Sequence, residues 1–366
     1  MSLFKRAAVS EILSHMGVIF STLIIIWLSV LLVRLVGDAA NGSIGAEVVL
    51  GMALFSIVTA LPVILAVSLF IAILTTVTRS YRESEMVVWF ASGLSLRSWL
   101  SPILSCAVPI AILIAVFTFY ASPWAYRQIA EYKQRFELRS DISKVSTGQF
   151  IETENGARVF FTEEPETEQA ELGQVVARII DPEWFSVITA RQAQVEEADN
   201  GDRFLVLGEG HRYDMQEDTA AFRITDFSRY GVRLESKDDR SSDEYIRQQA
   251  AEQIKARPTS MLLAQPDELA LAHIMWRSAL PLAALVLAIL AAPLGAVNPR
   301  LGKSGNMLTA GLLALLYMNL INLSRGWIAK GNLDFSLGVW AVHGVFLLLA
   351  CYLLWRTMRI TPPKPI

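Results

Sequence analysis

The chain has 366 residues, 53% apolar and 18% charged, and a mean hydropathy of +0.40, a balance that argues against an ordinary soluble enzyme and for a membrane protein. The formal charge of −3 conceals a segregation: residues 123–268 hold 18 Lys+Arg against 29 Asp+Glu, net −11, while the remainder holds 14 against 6, net +8. Two chemically different bodies share one polypeptide, and Cys106 and Cys351, each inside an apolar run, give no support to a disulfide framework or a thiolate zinc site.

A bilayer core about 30 Å thick needs about 20 helical residues. Six charge-free stretches approach or exceed that length, at about 17–33, 48–78, 98–126, 278–299, 304–324 and 335–355. The expected fold class is therefore an α-helical polytopic membrane protein with six transmembrane helices. Residues 3–16 mix charge with apolarity, as a helix lying along the headgroups does. A signal peptide is the competing reading of the first span. We prefer a retained helix, because the run exceeds an h-region and the following GDAANGS lacks a clear A-x-A site. The second and third stretches contain Pro62, Pro102 and Pro109, so tilt or kinks are expected there.

Ten Lys and Arg lie in the N-terminal segment, the second and fourth connections and the tail (Lys5, Arg6, Arg79, Arg82, Arg97, Arg300, Lys303, Arg356, Arg359, Lys364). The opposite short loops hold only Arg325 and Lys330, with Arg34 at the end of span one. The positive-inside rule then places both termini in the cytoplasm and the long insert outside it.

That insert reads as antiparallel sheet, with candidate strands at 147–153, 157–163, 172–180, 184–196, 202–210 and 221–234 and turn signals at Asn155-Gly156 and Asn200-Gly201. A polar helix is expected over 241–256, ended by Pro258. The layout is a membrane half (1–126), an inserted all-β domain of jelly-roll type (127–266) and a second membrane half (267–366).

Familiar catalytic chemistry is missing. Gly302-Lys303-Ser304 ends like a phosphate-binding loop, but Val297 stands where the motif needs glycine, and the segment joins two spans. His15, His211, His273 and His343 have no partner at metal-ligand spacing. The pairs Glu163-Glu164 and Glu196-Glu197 read as solvated surface. Neither a catalytic nor a metal site is expected, and the acidic insert excludes a nucleic-acid footprint.

The connection RSYRESEMVVWFASGLSLRS, 79–98, is too apolar for a simple turn. Met86, Val87, Trp89, Phe90 and Leu94 suit a short surface helix with Glu83 and Glu85 at its start and Gly93 as its stop. It reads either as an interfacial helix without a partner or as a docking element, where a carboxylate fixes register and aromatics supply affinity. Arg277, beside Trp276, reads as an interfacial anchor. Phe204, Val206, Phe222 and Ile224 either line an apolar sheet interior that holds acyl chains or fill a closed core.

ESE (Glu83 to Glu85) with GLS (Gly93 to Ser95), GQF at 148–150, FRITDF at 222–227, and VNPR followed by Gly302 together resemble the LptF/LptG permeases of lipopolysaccharide export. FRITDF and VNPRxG resemble the LptF branch more than the LptG branch. The resemblance covers nearly the whole chain. It implies a non-catalytic half-transporter in the bacterial inner membrane, with a periplasmic jelly roll. The implied partners are an LptG-type permease, an LptC-type periplasmic protein and an LptB-type ATPase dimer, where ATP and Mg are bound. It also implies that 81–95 is the coupling helix, carrying Glu83, Glu85, Trp89 and Phe90, and that Arg34 faces lipopolysaccharide phosphates, where a guanidinium bonds bidentately. Leu31 departs from the pattern, since some relatives carry a second base there. The readings left in competition are a membrane sensor with an extracytoplasmic β domain and an ion-coupled transporter, the latter opposed by spans that lack interior Asp or Glu.

Overall fold

The computed structural model describes residues 3–41, 44–143, 150–153, 158–162, 173–180, 184–197, 203–216, 221–235, 243–296 and 305–358. Two compact units emerge, one from residues 1–130 with 251–366 and one from residues 131–250.

The first unit is helical. Its elements are α1 (Leu3–Ala40), α2 (Val49–Arg82), α3 (Glu85–Ala91), α4 (Leu100–Val116), α5 (Ser122–Ser143), α6 (Asp243–Glu252), α7 (Thr259–Ala264), α8 (Glu268–Gly295), α9 (Gly305–Ile328) and α10 (Phe335–Met358). α5 and α6 each run across the boundary of the two units. Among the described residues, six helical stretches are long and apolar enough to cross a membrane: Leu3–Ala40, Val49–Arg82, Leu96–Phe136, Glu268–Gly295, Met307–Ile328 and Phe335–Met358. Each begins or ends beyond the charge-free run that marks it in the sequence. Residues 3–16 are one such extension and form no separate surface helix. Phe4, Ala8, Ile12 and Met16 recur every fourth position, fall on one side of α1 and are buried in the helical core.

α8 is the hub, packing against α2, α4, α9 and α10. Its inner positions are small: Ala279, Ala283, Ala284, Ala288, Ala291 and Ala292 are at most 1% exposed. In lipid there is no hydrophobic gain from moving leucine between neighbours, so close backbone approach supplies the attraction, and small residues permit it. Gly295 is the extreme case, because a methyl group there would sit 2.8 Å from Val77 Cβ and 3.2 Å from the Leu74 carbonyl oxygen.

The third span contains one irregular turn. A π-helical turn, Phe117–Ala121, joins α4 to α5. Pro123 has no N–H to give to the carbonyl of Phe119, four residues earlier, and such an orphan acceptor is costly away from water. Thr259 Oγ1 donates to that carbonyl at 2.9 Å.

The second unit is a six-stranded antiparallel sheet: β1 (Phe150–Thr153), β2 (Arg158–Thr162), β3 (Val175–Ile180), β4 (Trp184–Glu197), β5 (Arg203–Gln216) and β6 (Phe222–Glu235). Strand order is β1-β2-β3-β4-β5-β6, so each described strand pairs with its neighbours in sequence. β5 runs six residues past the expected end at Gly210. The register passes from Ala190↔Gly210 to Gln192↔Gly208, which leaves Arg191 and Glu209 outside the ladder, with Glu209 at φ 34. One residue on each strand is skipped, so the register is unchanged and the strand continues. An apolar cluster forms from Val175, Ala177 and Ile179 on β3, Ile188, Ala190 and Ala193 on β4, Leu205 and Leu207 on β5, and Val232 on β6. The Asn155-Gly156 and Asn200-Gly201 turns, VNPR, Gly302 to Ser304 and the first two residues of GQF lie outside the described residues.

Candidate functional site

The connection after α2 is an elbow. Ser84 adopts a left-handed backbone, φ 61, and redirects the chain between α2 and α3. Gly93, φ 85, ends α3: its N–H bonds the Phe90 carbonyl and the Leu94 N–H bonds that of Trp89, each at 3.0 Å. This Schellman pair satisfies carbonyls the helix end would leave open and needs a residue that tolerates positive φ.

The two sides of α3 differ. Met86 is 2% exposed, and the Trp89 ring meets Phe4 of α1 edge-on at 5.0 Å, so these residues fasten the elbow to the helical core. Val87, Val88 and Phe90 face outward, 65%, 67% and 43% exposed. Of the two aromatics read as docking candidates, only Phe90 is displayed. Val88 is also displayed, at a position two residues from Phe90 that a single helical face does not predict.

The carboxylates of the elbow are organised by Arg79 on the last turn of α2. Arg79 Nε donates to Glu11 of α1 at 2.6 Å, one terminal nitrogen donates to Glu83 at 2.9 Å, and the other reaches Glu85 at 3.5 Å. Glu85 also accepts from Ser80 Oγ at 2.9 Å. Glu83 and Glu85 are thus held in one ion-pair cluster with a third acid from a different helix. Glu11 escapes sequence reasoning, since nothing local to residue 11 reveals a partner at residue 79.

The helical unit also holds a basic cavity of about 140 Å³, whose lining among the described residues includes Tyr126, Lys255, His273, Trp276, Arg277 and Arg325 and contains no carboxylate. Arg277 is no interfacial anchor: it is 5% exposed and donates to Thr259 Oγ1 at 2.7 Å and to the Arg257 carbonyl at 2.8 Å. The backbone between α6 and α7 turns those acceptors toward it, and a cation so bonded can lie inside the helix packing. Arg325 lies over the Trp276 ring at 4.6 Å. Arg34 is exposed on α1 and forms no ion pair among the described residues.

The four sheet candidates do not come together. Leu205 and Leu207 enter the apolar cluster, whereas Val206 lines a polar hollow with Gln192, Gln194, Glu196 and Arg229. Phe222 and Ile224 are each 56% exposed on the edge strand β6. Phe204 pairs with Arg233 and Phe222 with Met215, so Phe204 and Phe222 lie about 35 Å apart along the hairpin.

The sheet also holds a buried ionic cluster. Asp214 is fully buried and accepts from Ser186 Oγ at 2.7 Å, Arg212 Nε at 2.6 Å and an Arg223 terminal nitrogen at 2.7 Å. Burial opposes its ionisation, but these hydrogen bonds and the Arg212 charge outweigh that and bring its pKa down to about 2. A lone aspartate in a strand gives no sequence signal for this.

Comparison with known proteins finds matches along nearly the full length of the chain. LptF, the lipopolysaccharide export system permease protein of Escherichia coli K12, is 30% identical over 363 residues, covering 97% of this chain and 95% of that protein. LptF of E. coli O157:H7 and of Shigella flexneri match at the same identity and coverage. The family described as lipopolysaccharide export system permease LptF/LptG matches residues 6–356. Six membrane-length helices, an inserted antiparallel sheet and an end-to-end match establish that this chain belongs to the LptF/LptG family of lipopolysaccharide export permeases.

Proposed function

We propose that the chain is the LptF-type permease subunit of an ATP-driven exporter in the bacterial inner membrane. It pairs with an LptG-type permease and an LptB-type ATPase dimer and extracts lipopolysaccharide from the periplasmic leaflet. The cargo then passes through the sheet unit toward an LptC-type protein. Both termini and the elbow are cytoplasmic and the sheet is periplasmic. ATP and Mg belong to the ATPase, and this chain carries no catalytic residue.

The observation that carries the reading is the elbow: a short helix anchored on one side by Met86 and Trp89 and offering Val87, Val88 and Phe90 beside Glu83 and Glu85 on the other. Apolar area flanked by fixed charge suits a protein groove. The cavity of Lys255, Arg277 and Arg325, together with exposed Arg34, suits an anionic glycolipid headgroup. An exposed Phe222 and Ile224 offer apolar contact for acyl chains on the sheet. Purification of the tagged chain from native membrane is expected to recover an ATPase and a second permease. Phe90→Ala and Glu85→Ala are each expected to weaken ATPase association about ten-fold. Retained association with full export in both variants overturns the docking role.

A further inference from the structure

Arg79 is the point where three carboxylates converge, from α1, from the connection after α2 and from α3. Nε faces Glu11 on α1, and the two terminal nitrogens face Glu83 and Glu85 at the elbow. The guanidinium uses its whole planar fork, which a lysine ammonium cannot reproduce as a rigid geometry. The Glu11 contact is the shortest of the three at 2.6 Å, and that carboxylate is the least exposed, 23% against 52% and 38%. The strongest arm of the fork therefore reaches away from the elbow to a different helix. α1 runs unbroken from Leu3 to Ala40, so Glu11 and Arg34 lie on one rod, about 35 Å apart at 1.5 Å per residue. Around the same joint, Phe4 of α1 meets both Trp89 of α3 and Trp99, at 5.0 and 5.4 Å. Apolar contact and ion pair together bind the start of α1 to the elbow.

We propose that Arg79 is a positioning residue that locks α1 to the elbow through Glu11, so that displacement of α3 by a partner is carried along α1 to the end that bears Arg34. The inference rests on the docking role proposed above. Glu85 supplies the partner contact; Arg79 sets its place and Glu11 passes the motion on. Without the lock, the elbow moves and α1 lags behind.

Two arms test it. In the chain alone, with Cys106 and Cys351 replaced by alanine, nitroxides at Leu13→Cys and Ala91→Cys are expected to give one narrow distance, broadened by either Glu11→Gln or Arg79→Gln. In the full complex, Glu11→Gln is expected to keep the ATPase bound and hydrolysis within about two-fold, while glycolipid release falls about ten-fold; Arg79→Gln, which also releases Glu83 and Glu85, is expected to weaken ATPase association as well, and the double variant to match Arg79→Gln. Unchanged distances, release at the parental rate, or additive losses in the double variant overturn the proposal. Failure of any ATPase to copurify with the parent chain defeats the docking reading instead, and the distances still decide the lock.

Discussion

Asp214 has its whole hydrogen-bonding capacity satisfied inside the sheet, and the consequence is a defined acid sensitivity. Its pKa of about 2 lies below that of an unfolded aspartate, so the ionised form is favoured by folding. The stabilisation is complete above about pH 4 and drains away as the pH falls through about 2. Hydrogen exchange of β4 to β6 amides in the intact protein is expected to accelerate over that window, and Asp214→Asn to flatten the response. Asp214→Ala leaves Arg212 without its carboxylate and is expected to cost about 3 kcal/mol, the low end for breaking a buried pair because Arg223 is 60% exposed and can turn to water. Thr259 gives a second prediction. Thr259→Val removes both the donor to the Phe119 carbonyl and the acceptor for Arg277, and is expected to cost about 2 kcal/mol, seen as a lower thermal midpoint in detergent, with Thr259→Ser close to the parent. At this scale the sequence is least legible. Arg277 reads as a surface residue because a cation tolerates burial only when carbonyls converge on it, and those carbonyls belong to residues 255 and 257. On β5 alternation separates Phe204 and Val206 from Leu205 and Leu207 but does not say which set faces inward, and the apolar cluster takes the leucines.

Elements are far more legible, because an apolar run of membrane length can hardly be anything but a span. The ends are not, since a charged residue can continue a helix while its side chain bonds inward or reaches water. α8 starts ten residues before its charge-free run, with Asp267 capping it by accepting from the Ala270 N–H at 2.6 Å. Its other end tests how closely helices must approach. Gly295→Val is expected to cost about 2 kcal/mol by overpacking against Val77, with a lower thermal midpoint, while Gly311→Val, which meets open space, is expected to shift it little. Gly93 separates backbone from packing. Nothing lies within 4 Å of a methyl group at that position, yet its φ is 85, so Gly93→Ala is expected to cost about 1 kcal/mol by backbone strain alone, measured as faster exchange of the Leu94 amide.

For the whole molecule, the segregation of charge is the most informative single fact in the sequence. An acidic body of net −11 and a basic remainder of net +8 correspond closely to the sheet unit and the helical unit. The division is legible because water and lipid demand different compositions. The joining of Glu11 to Arg79 is not, because 68 residues separate them and only the packing of α1 on α2 brings them together.

The neighbour-only pairing of β1 through β6 bears on how such a chain is made. Each hairpin closes a short loop, so the entropy lost at every step is small and pairing can keep pace with emergence of the polypeptide. An insert built this way can assemble stepwise before the last three spans have been synthesised.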